Sequence, residues 1–362
     1  MLTNSFFHPH EGSRSRVAGA GFVTLDVLLG AEDKLAYSGI GGSTGNVLSI
    51  MAFLGWDSVP LVNLGRDRVG AAIHREFAEV GADVRHIKLD RNLTSPLLYQ
   101  FAGSPHEAPR YSFACPVCGR ARRFNEDLVD SGGETFTQCA AEANVFFFDR
   151  VTHGTVRMAL AARAGGALVF FEPSAMSPDR ALFNEALKSA HVVKYSADRI
   201  RDPFTDVLPW GAVEIQTMGA RGLKFRKHCL ASDWVELPAL RTGLVADTSG
   251  AGDWCTAGFL HAFEAFRLGG SELQDMSYNE IYHSLRVGQS IAALSVAHIG
   301  ARGLMRACRS EVTLENVRKM LDGAYGAQAA EPARSCSTFD SVCCKDLASY
   351  VKPQPKRLPL TF

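Results

Sequence analysis

The stretch DTSGAGDWCTAGF, residues 247–259, places three small residues directly before an acid at the start of a predicted helix. The first N–H groups of a helix have no partner within the helix, and they carry the positive end of its dipole. Residues without bulky side chains let an anion approach these donors closely. We therefore interpret the backbone of Gly250, Ala251 and Gly252 as an anion cradle.

Asp253 follows this cradle in the first turn of the predicted helix. The helix dipole favours a carboxylate there, which predicts that Asp253 stays ionised. An acid beside a bound anion is repelled, unless it accepts a proton from a hydroxyl that attacks a phosphoryl group in the cradle. The alternative is an ordinary helix start, in which Asp247 or Thr248 is the N-cap and the glycines form a turn.

The composition limits the classes of partner. The 362 residues include 38 basic and 38 acidic ones, so the formal net charge is zero. Such a chain has no general attraction for nucleic acid or for an anionic membrane, and we expect neither as a partner. The apolar stretch 17–31 contains Asp26, is too short to span a membrane and lacks a signal-peptide layout, which predicts a cytoplasmic protein.

The order of apolar and amphipathic runs indicates the fold. Short, nearly continuous apolar runs alternate with amphipathic ones, which is typical of a parallel sheet covered on both faces. We predict an α/β fold with a mostly parallel central sheet flanked by helices. The predicted strands are 17–25 (VAGAGFVTL), 59–65, 144–149, 167–173, 191–195 and 212–219, and the predicted helices are 45–55, 69–81, 152–165, 178–190, 250–269, 277–300 and 311–326.

Two segments near 27–40 and 95–115 interrupt this alternation. SPLLYQFAG and RYSFACP, both within 95–116, alternate polar and apolar residues like exposed strands. We predict that they build a small protruding β-sheet, a lid over the substrate, whose open edge would allow a homodimer. The polar segment 115–134 is interpreted as a loop. The predicted domain limits are a flexible N-terminal tail 1–16, one main domain 17–327 and a C-terminal tail 328–362.

The opening stretch resembles the C-terminal signature of the ribokinase-like (PfkB-type) carbohydrate kinase family, roughly D-T-x-G-A-G-D followed by a helix. Residues 41–84 are similar to its N-terminal motif, in which a double glycine and an Asn at a helix start precede LG, G-x-D-x-x-G and a helix ending in G-[AV]-D. The resemblance covers roughly 17–320. It implies a ribokinase-like fold and phosphorylation of a sugar hydroxyl with ATP and Mg²⁺.

The resemblance also implies roles for the matching residues. Asp253 would be the catalytic base, and the backbone of Gly250, Ala251 and Gly252 would be the anion hole for the γ-phosphoryl group. Glycines let a sugar ring lie on backbone, while Asp and Asn supply the acceptors and donors that a polyol needs. The residues implied to bind the sugar are Asp26, Gly41, Gly42 and Asn46.

The segment TMGARG, 217–222, resembles the family's T-x-G-x-x-G turn beside the nucleotide. Without the resemblance, an ordinary turn between two strands is the simpler interpretation. Asp247 and Ser249 match positions near which some members hold a monovalent cation, with carbonyls from 296–303, which implies a potassium site. The residues of the turn implied to contact ATP are Thr217, Gly219 and Gly222.

The chain departs from the family around its predicted metal site. The family often has an N-x-x-E element after the strand that matches 191–195, linked to magnesium and phosphate. Here Ser196 stands at the Asn position and Arg199 replaces the Glu. We predict that Lys194 and Ser196 contact the nucleotide and that Asp198 serves Mg²⁺ through water.

Cys115 and Cys118, two of nine cysteines, form a C-x-x-C pair. A structural zinc site needs four ligands, and the sequence has no second such pair. Loop thiols, a redox or disulfide pair and a zinc site stay open as interpretations. Arg110, with the neighbouring arginines at 120, 122 and 123, would meet an acidic group of the substrate, or else belongs to a solvated basic loop. Asp149 follows a buried strand and is a candidate for the edge of the site.

Together these features predict an ATP-dependent phosphotransferase that acts on an alcohol of a sugar or sugar-like molecule. A nucleoside is the alternative acceptor within this class. The altered N-x-x-E element keeps a non-catalytic sugar- or nucleotide-sensing protein as a second alternative. A zinc-dependent nucleic-acid module is a third, and the neutral charge and the missing cysteine pair argue against it.

Overall fold

The structure is a computed structural model that describes residues 14–29, 35–101, 110–204, 206–229, 233–240, 243–268 and 276–323. The C-terminal tail and most of the N-terminal tail lie outside the described residues. None of the described helices is long and apolar enough to cross a membrane. The strands are Arg16–Ala20 (β1), Thr24–Leu29 (β2), Leu35–Gly41 (β3), Asp57–Pro60 (β4), Leu64–Gly65 (β5), Leu89–Asp90 (β6), Leu97–Phe101 (β7), Arg110–Ser112 (β8), Val145–Phe148 (β9), Leu168–Phe171 (β10), Val192–Ser196 (β11), Val213–Thr217 (β12), Leu223–Lys227 (β13) and Val235–Leu237 (β14).

The helices begin where side chains cap their free N–H groups. Asp67 accepts the Gly70 N–H, while Thr152 and Ser277 open reciprocal capping boxes. The helices are Ser43–Phe53 (α1), Arg68–Glu79 (α2), Asp127–Asp130 (α3), Gly133–Ala141 (α4), His153–Ala164 (α5), Arg180–Ser189 (α6), Ala251–Leu268 (α7), Tyr278–Ser295 (α8), Gly303–Ala307 (α9) and Ser310–Leu321 (α10).

The central sheet has eight strands in the order β14-β13-β12-β11-β10-β9-β1-β4. Its pairs from β4 to β12 are parallel, and β13 and β14 add an antiparallel edge. The middle strands are buried along their whole length, with stacked phenylalanine pairs such as Phe147–Phe170 and Phe148–Phe171. This apolar continuity is what a sheet covered by helices on both faces requires. The predicted α/β fold is confirmed.

A second, smaller sheet has the order β3-β2-β7-β8. Its strand β2 pairs with β3 in antiparallel and with β7 in parallel orientation, and β7 pairs antiparallel with β8. The predicted separate small sheet is confirmed, and its described strands lie in Thr24–Gly41 and Leu97–Ser112. Because β3 and β8 are its outer strands, dimerisation through this sheet stays a prediction.

The predicted strand 17–25 is wrong as a single element. The chain leaves the central sheet after Ala20 and enters the small sheet at Thr24. Asp149, which is distant in sequence, stabilises this break. Its carboxylate accepts the Phe22 N–H (2.7 Å), and a Cβ on Gly21 would lie 2.0 Å from that carboxylate. Asp26 therefore lies within β2 and not after the first strand.

The predicted loop 115–134 is also wrong in part. A short turn brings Ala114 opposite Ala121, and the helices α3 and α4 begin within the remainder. The sequence prediction also omitted β13 and β14, whose polar and apolar residues alternate because they form a partly exposed edge. The predicted tail 1–16 extends too far, because Arg16 already belongs to β1 and pairs with Asp57 at 2.7 Å.

Helices α7 and α8 approach each other closely at two glycines. A Cβ on Gly288 would lie 2.4 Å from the Cys255 carbonyl oxygen, and one on Gly258 would lie 2.9 Å from the Gly288 Cα. Gly288→Ala is therefore expected to lower the free energy of unfolding by about 1–3 kcal/mol, measured by urea denaturation. Without this contact, alanine would raise it by about 1 kcal/mol through helix propensity, so an increase would contradict the packing described.

Candidate active site

Helix α7 begins at Ala251, and its first turn carries the predicted anion cradle. Gly250 has φ 76°, a conformation that favours glycine, and it packs against Ala301, where a Cβ would lie 2.5 Å from the alanine Cβ. Gly252 is exposed at the tip. The Ala251 N–H donates to the Thr248 carbonyl at 3.2 Å. The N–H groups of the following residues in this turn have no partner within the helix.

Asp253 lies just behind the tip and is only 8% exposed. The Nδ2 of Asn46, in the first half of α1, donates to the Asp253 Oδ2 at 2.7 Å. This bond joins the two sequence motifs, since its residues are 207 positions apart in the chain. The structure therefore brings Asp253 together with the predicted substrate-binding asparagine.

The charge of Asp253 differs from the expectation. Burial is the main cause and the nearby carboxylate of Glu172 the second, and together they raise its pKa to about 8. The bond from Asn46 and the charge of Lys194 oppose this shift. The helix dipole was expected to keep Asp253 ionised, but desolvation outweighs it, so that the carboxyl takes up a proton near neutral pH.

Asp26 and Gly41 touch across the small sheet. A Cβ on Gly41 would lie 1.9 Å from the Asp26 Oδ2, so only glycine leaves room for the carboxylate. Burial raises the pKa of Asp26 to about 7. The Oδ1 of Asp26 and the Oδ1 of Asn46 are buried and have no hydrogen-bond donor among the described residues. Gly42 follows as the N-cap of α1. The Asn46 N–H donates to the Gly42 carbonyl at 2.8 Å, so the two acceptors flank the Gly41–Gly42 pair.

Glu172, at the carboxyl end of β10, was missed by the sequence analysis. Its carboxylate bonds the buried ammonium of Lys194 on β11 and accepts the Thr256 hydroxyl of α7 at 2.6 Å. A Cβ on Gly252 would lie 3.6 Å from the Lys194 Nζ, so the ammonium lies beside the cradle. The signal was an acid directly after a buried apolar strand, the same pattern that drew attention to Asp149.

The predicted nucleotide contacts lie together at the ends of β11 and β12. Ser196 is directly opposite Thr217 in the parallel pair, and the Asp198 N–H donates to the Ser196 hydroxyl at 3.3 Å. The segment from Gly219 to Gly222 forms the turn from β12 into the antiparallel β13. The simpler interpretation of this motif, a turn between strands, therefore describes its conformation, while its contact with ATP stays a prediction.

Ser249 connects the small sheet to the turn before the cradle. The Gln100 side chain of β7 donates to the Ser249 hydroxyl at 3.0 Å, and the Tyr111 hydroxyl of β8 lies 3.4 Å from it. Both side chains come from the face of the small sheet that also carries Asp26, because register places Tyr111 opposite Gln100 and Asp26 two residues from Gln100's partner on β2. This face of the small sheet therefore lies against the turn that leads into the cradle, and its role as a lid stays a prediction.

The residues of the predicted potassium site are engaged within the protein. Asp247 accepts the Ser249 N–H and the Gly300 N–H, each at 2.9 Å. The Val296 carbonyl accepts the N–H groups of Ala246 (2.7 Å) and Asp247 (3.1 Å). These bonds fix the turn that leads into the cradle, and potassium binding stays a prediction.

Several other predicted residues are not brought to the site. Arg110 lies on the opposite face of the small sheet from Gln100 and Tyr111, and its guanidinium stacks over Phe101 at 5.5 Å. Arg122 pairs with Asp67 at 3.1 Å. Asp149 is buried, and its carboxylate accepts the Phe22 N–H at the break between β1 and β2. Among the described residues, no three His, Cys, Asp or Glu side chains cluster as metal ligands, and the buried Cys115 lies in a turn.

Comparisons with known proteins identify the fold. No family model matches the chain, and no curated protein does either. Among solved structures, ribokinase from Giardia lamblia superposes with a TM-score of 0.65 at 14% identity, over 83% of this chain and 99% of its own. Fructokinase with bound ATP from Xylella fastidiosa gives 0.63 at 20% identity, over 86% and 99%.

A third similar structure is the aminoimidazole riboside kinase from Salmonella enterica, complexed with aminoimidazole riboside and an ATP analogue. It superposes with a TM-score of 0.61 at 19% identity, over 84% of this chain and 99% of its own. These likenesses confirm the resemblance drawn from the two motifs at the level of the fold, which is that of the ribokinase-like kinases.

Proposed function

We propose that this chain is an ATP-dependent phosphotransferase that phosphorylates a hydroxyl of a sugar or sugar-like molecule, and that it belongs to the ribokinase-like carbohydrate kinases. The observation that carries the proposal is the bond between Asn46 and Asp253 beside the exposed Gly252 tip. It supports the proposal because a carboxyl group, a side-chain amide and the backbone N–H groups of the helix start lie close together there. The ATP in the similar fructokinase structure supports the choice of donor.

In this proposal Asp253 accepts the proton of the attacking hydroxyl. The backbone donors of the α7 tip receive the charge of the transferring phosphoryl group, and the ammonium of Lys194 adds a positive charge beside Gly252. Since the donors are held before the substrate arrives, they need no rearrangement during the transfer. Asp26 and Asn46 orient the acceptor through their buried oxygens.

The residues present fit a magnesium ion that is held mainly by phosphates and water. Mg²⁺ in such sites usually takes one or two carboxylates and keeps several waters, so a cage of protein ligands is not needed. Asp198 is exposed at the end of β11 and would supply that carboxylate. Glu172 is already engaged by Lys194 and Thr256. Magnesium would neutralise the phosphate charge of ATP, and we assign no step to potassium.

The candidate functions differ in the molecule that accepts the phosphoryl group and in whether any transfer occurs. The buried oxygens of Asp26 and Asn46 suit the hydroxyl donors of a polyol. The similarity to a riboside kinase favours a nucleoside-like acceptor as the second candidate. A non-catalytic sensing protein would bind the same molecules without transfer, and Arg199 at the glutamate position of the N-x-x-E element motivates this third candidate.

A coupled assay of ADP release against hexoses, pentoses, ketoses, sugar acids and nucleosides tests the proposal. Turnover with a sugar supports it, and turnover with nucleosides alone replaces it by the second candidate. Thermal shifts with sugars in the absence of any turnover would identify a sensing protein. Absence of both binding and turnover across the panel would refute the function proposed here.

The pH dependence of kcat/KM is expected to follow Asp253. Because burial favours the neutral acid, the base becomes active only as pH rises through its pKa of about 8. Glu172 raises this pKa, so in Glu172→Gln the midpoint of the rise is expected at lower pH. Glu185→Gln, on the exposed face of α6, is the control and leaves the midpoint in place. A wild-type midpoint near 4 would contradict the assignment.

A further inference from the structure

Arg302 lies on the inner face of the small sheet, next to Asp26. It follows Ala301, whose carbonyl accepts the Trp254 indole N–H at 2.7 Å, so it is anchored to α7. Its Nη2 bonds the Tyr37 hydroxyl at 2.8 Å and the Glu76 carboxylate of α2. It is 6% exposed, and the sequence analysis gave its side chain no role, since only the carbonyls of 296–303 were considered for potassium.

Gly39 makes room for this guanidinium. A Cβ on Gly39 would lie 2.2 Å from the Arg302 Nη2, just as one on Gly41 would meet the carboxylate of Asp26. Asp26 is directly opposite Gly39 in the antiparallel pair of β2 and β3. Residues opposite each other share a face. The guanidinium and the carboxylate therefore lie side by side on the same face of the small sheet.

The Nε of Arg302 is buried and has no acceptor within the part of the chain that the structure describes. Two of the other buried side-chain atoms without a partner are the Oδ1 of Asp26 and the Oδ1 of Asn46. A buried polar group without a partner is costly, and such groups are normally satisfied by protein, water or a ligand. These two acceptors and one donor flank the segment from Gly39 to Gly42, and they match the hydroxyls of a polyol, since a hydroxyl can both donate and accept.

We propose that Arg302 is a specificity-determining residue, whose Nε–H donates to one hydroxyl of the sugar beside the hydroxyl held by Asp26. This inference rests on the function proposed above and extends its substrate site. Glu76 and Tyr37 are positioning residues, because they hold the guanidinium through its other nitrogen. Arg302 would thus select the configuration of one substrate carbon.

The charges at this face favour a hydroxyl over an anionic group. Glu76 already pairs with the guanidinium, and Asp26 contributes a second acid beside it. Arg306, which stacks over the Tyr37 ring at 3.7 Å, is turned to the Ile299 carbonyl at 3.0 Å. A carboxylate on the substrate would meet Asp26 with little positive charge to offset the repulsion.

The test compares Arg302→Lys with the wild type against a series of monodeoxy analogues of the best acceptor. Lysine keeps the positive charge for Glu76 and removes the Nε–H. The wild type is expected to lose about 10- to 100-fold in kcat/KM for one analogue, the cost of one hydrogen bond to a charged group. With the parent sugar, Arg302→Lys should have a kcat/KM lower than that of the wild type by the same factor, through a higher KM. With that one analogue, the substitution should cause no further loss in kcat/KM. Arg91→Lys, at an exposed position away from the site, is the control for an arginine-to-lysine change.

Equilibrium binding of the same series without ATP gives a readout that does not depend on catalysis. A turnover failure with intact binding selectivity refutes the proposed function and leaves this inference standing. Three results would overturn the proposed role of Arg302: an equal loss of affinity for all analogues in Arg302→Lys, tighter binding of sugar acids than of neutral sugars, or no binding of any sugar. If Arg302→Lys does not fold, Gly39→Ala provides the second variant, because its Cβ displaces the guanidinium and predicts the same selective loss.

Discussion

Replacing Asp253 by asparagine is expected to lower kcat by about 10³-fold, since a positioned general base contributes roughly 10²- to 10⁴-fold. The amide has the same shape, but it cannot accept the proton of the acceptor hydroxyl. Because burial already disfavours the carboxylate, the neutral side chain is not expected to destabilise the protein. The measurement is steady-state ADP release with the best acceptor, together with thermal unfolding.

The affinity for ATP is expected to stay within a few fold of wild type in this variant, which calorimetry measures directly. Glu311→Gln is a matched control, because it also replaces an acid in the first turn of a helix, but on the exposed side of α10. It should leave kcat unchanged. A near-native rate in Asp253→Asn would show that another group takes the proton.

Replacing Lys194 by methionine is expected to lower kcat by about 10²-fold, the scale on which one electrostatic contact to the transition state contributes. The ammonium lies beside Gly252, where the phosphoryl charge is proposed to develop. The variant also leaves the Glu172 carboxylate without its partner, which should cost about 3–5 kcal/mol of unfolding free energy. Single-turnover kinetics and denaturant unfolding measure the two effects separately.

The double variant Lys194→Met with Glu172→Gln distinguishes catalysis from folding. It removes both charges, so stability should return toward the wild-type value while kcat stays low. Lys188→Met, at an exposed position on α6, is the control for loss of a lysine. If the double variant recovered its activity together with its stability, the role of Lys194 would be structural only.

The sequence was sufficient for the parts of the site that lie in two long motifs. The small residues before Asp253 predicted an accessible helix start, and the second motif identified Asn46, which the structure joins to Asp253. These elements are local in the chain, because turn, cap and acid lie within a few residues. The α/β class was equally accessible, since buried parallel strands have a characteristic apolar continuity.

The missed features depend on contacts between distant segments. Glu172 and Lys194 meet only because β10 and β11 are neighbours in the sheet, an order that no local pattern encodes. The strand break before Asp26 depends on Asp149, which bonds the Phe22 N–H from 127 residues away. For Arg110, alternation predicted a strand but did not tell which face it would present.

The contact between the small sheet and the turn at Ser249 has a consequence for turnover. The bond from Gln100 to Ser249 joins that sheet to the turn before the cradle, so any movement of the sheet away from this turn must break it. Ser249, which directly precedes the first cradle residue Gly250, would then lose this hydrogen bond. Under the proposed function, such a movement would loosen the start of α7, so phosphoryl transfer would be favoured while the small sheet is in place.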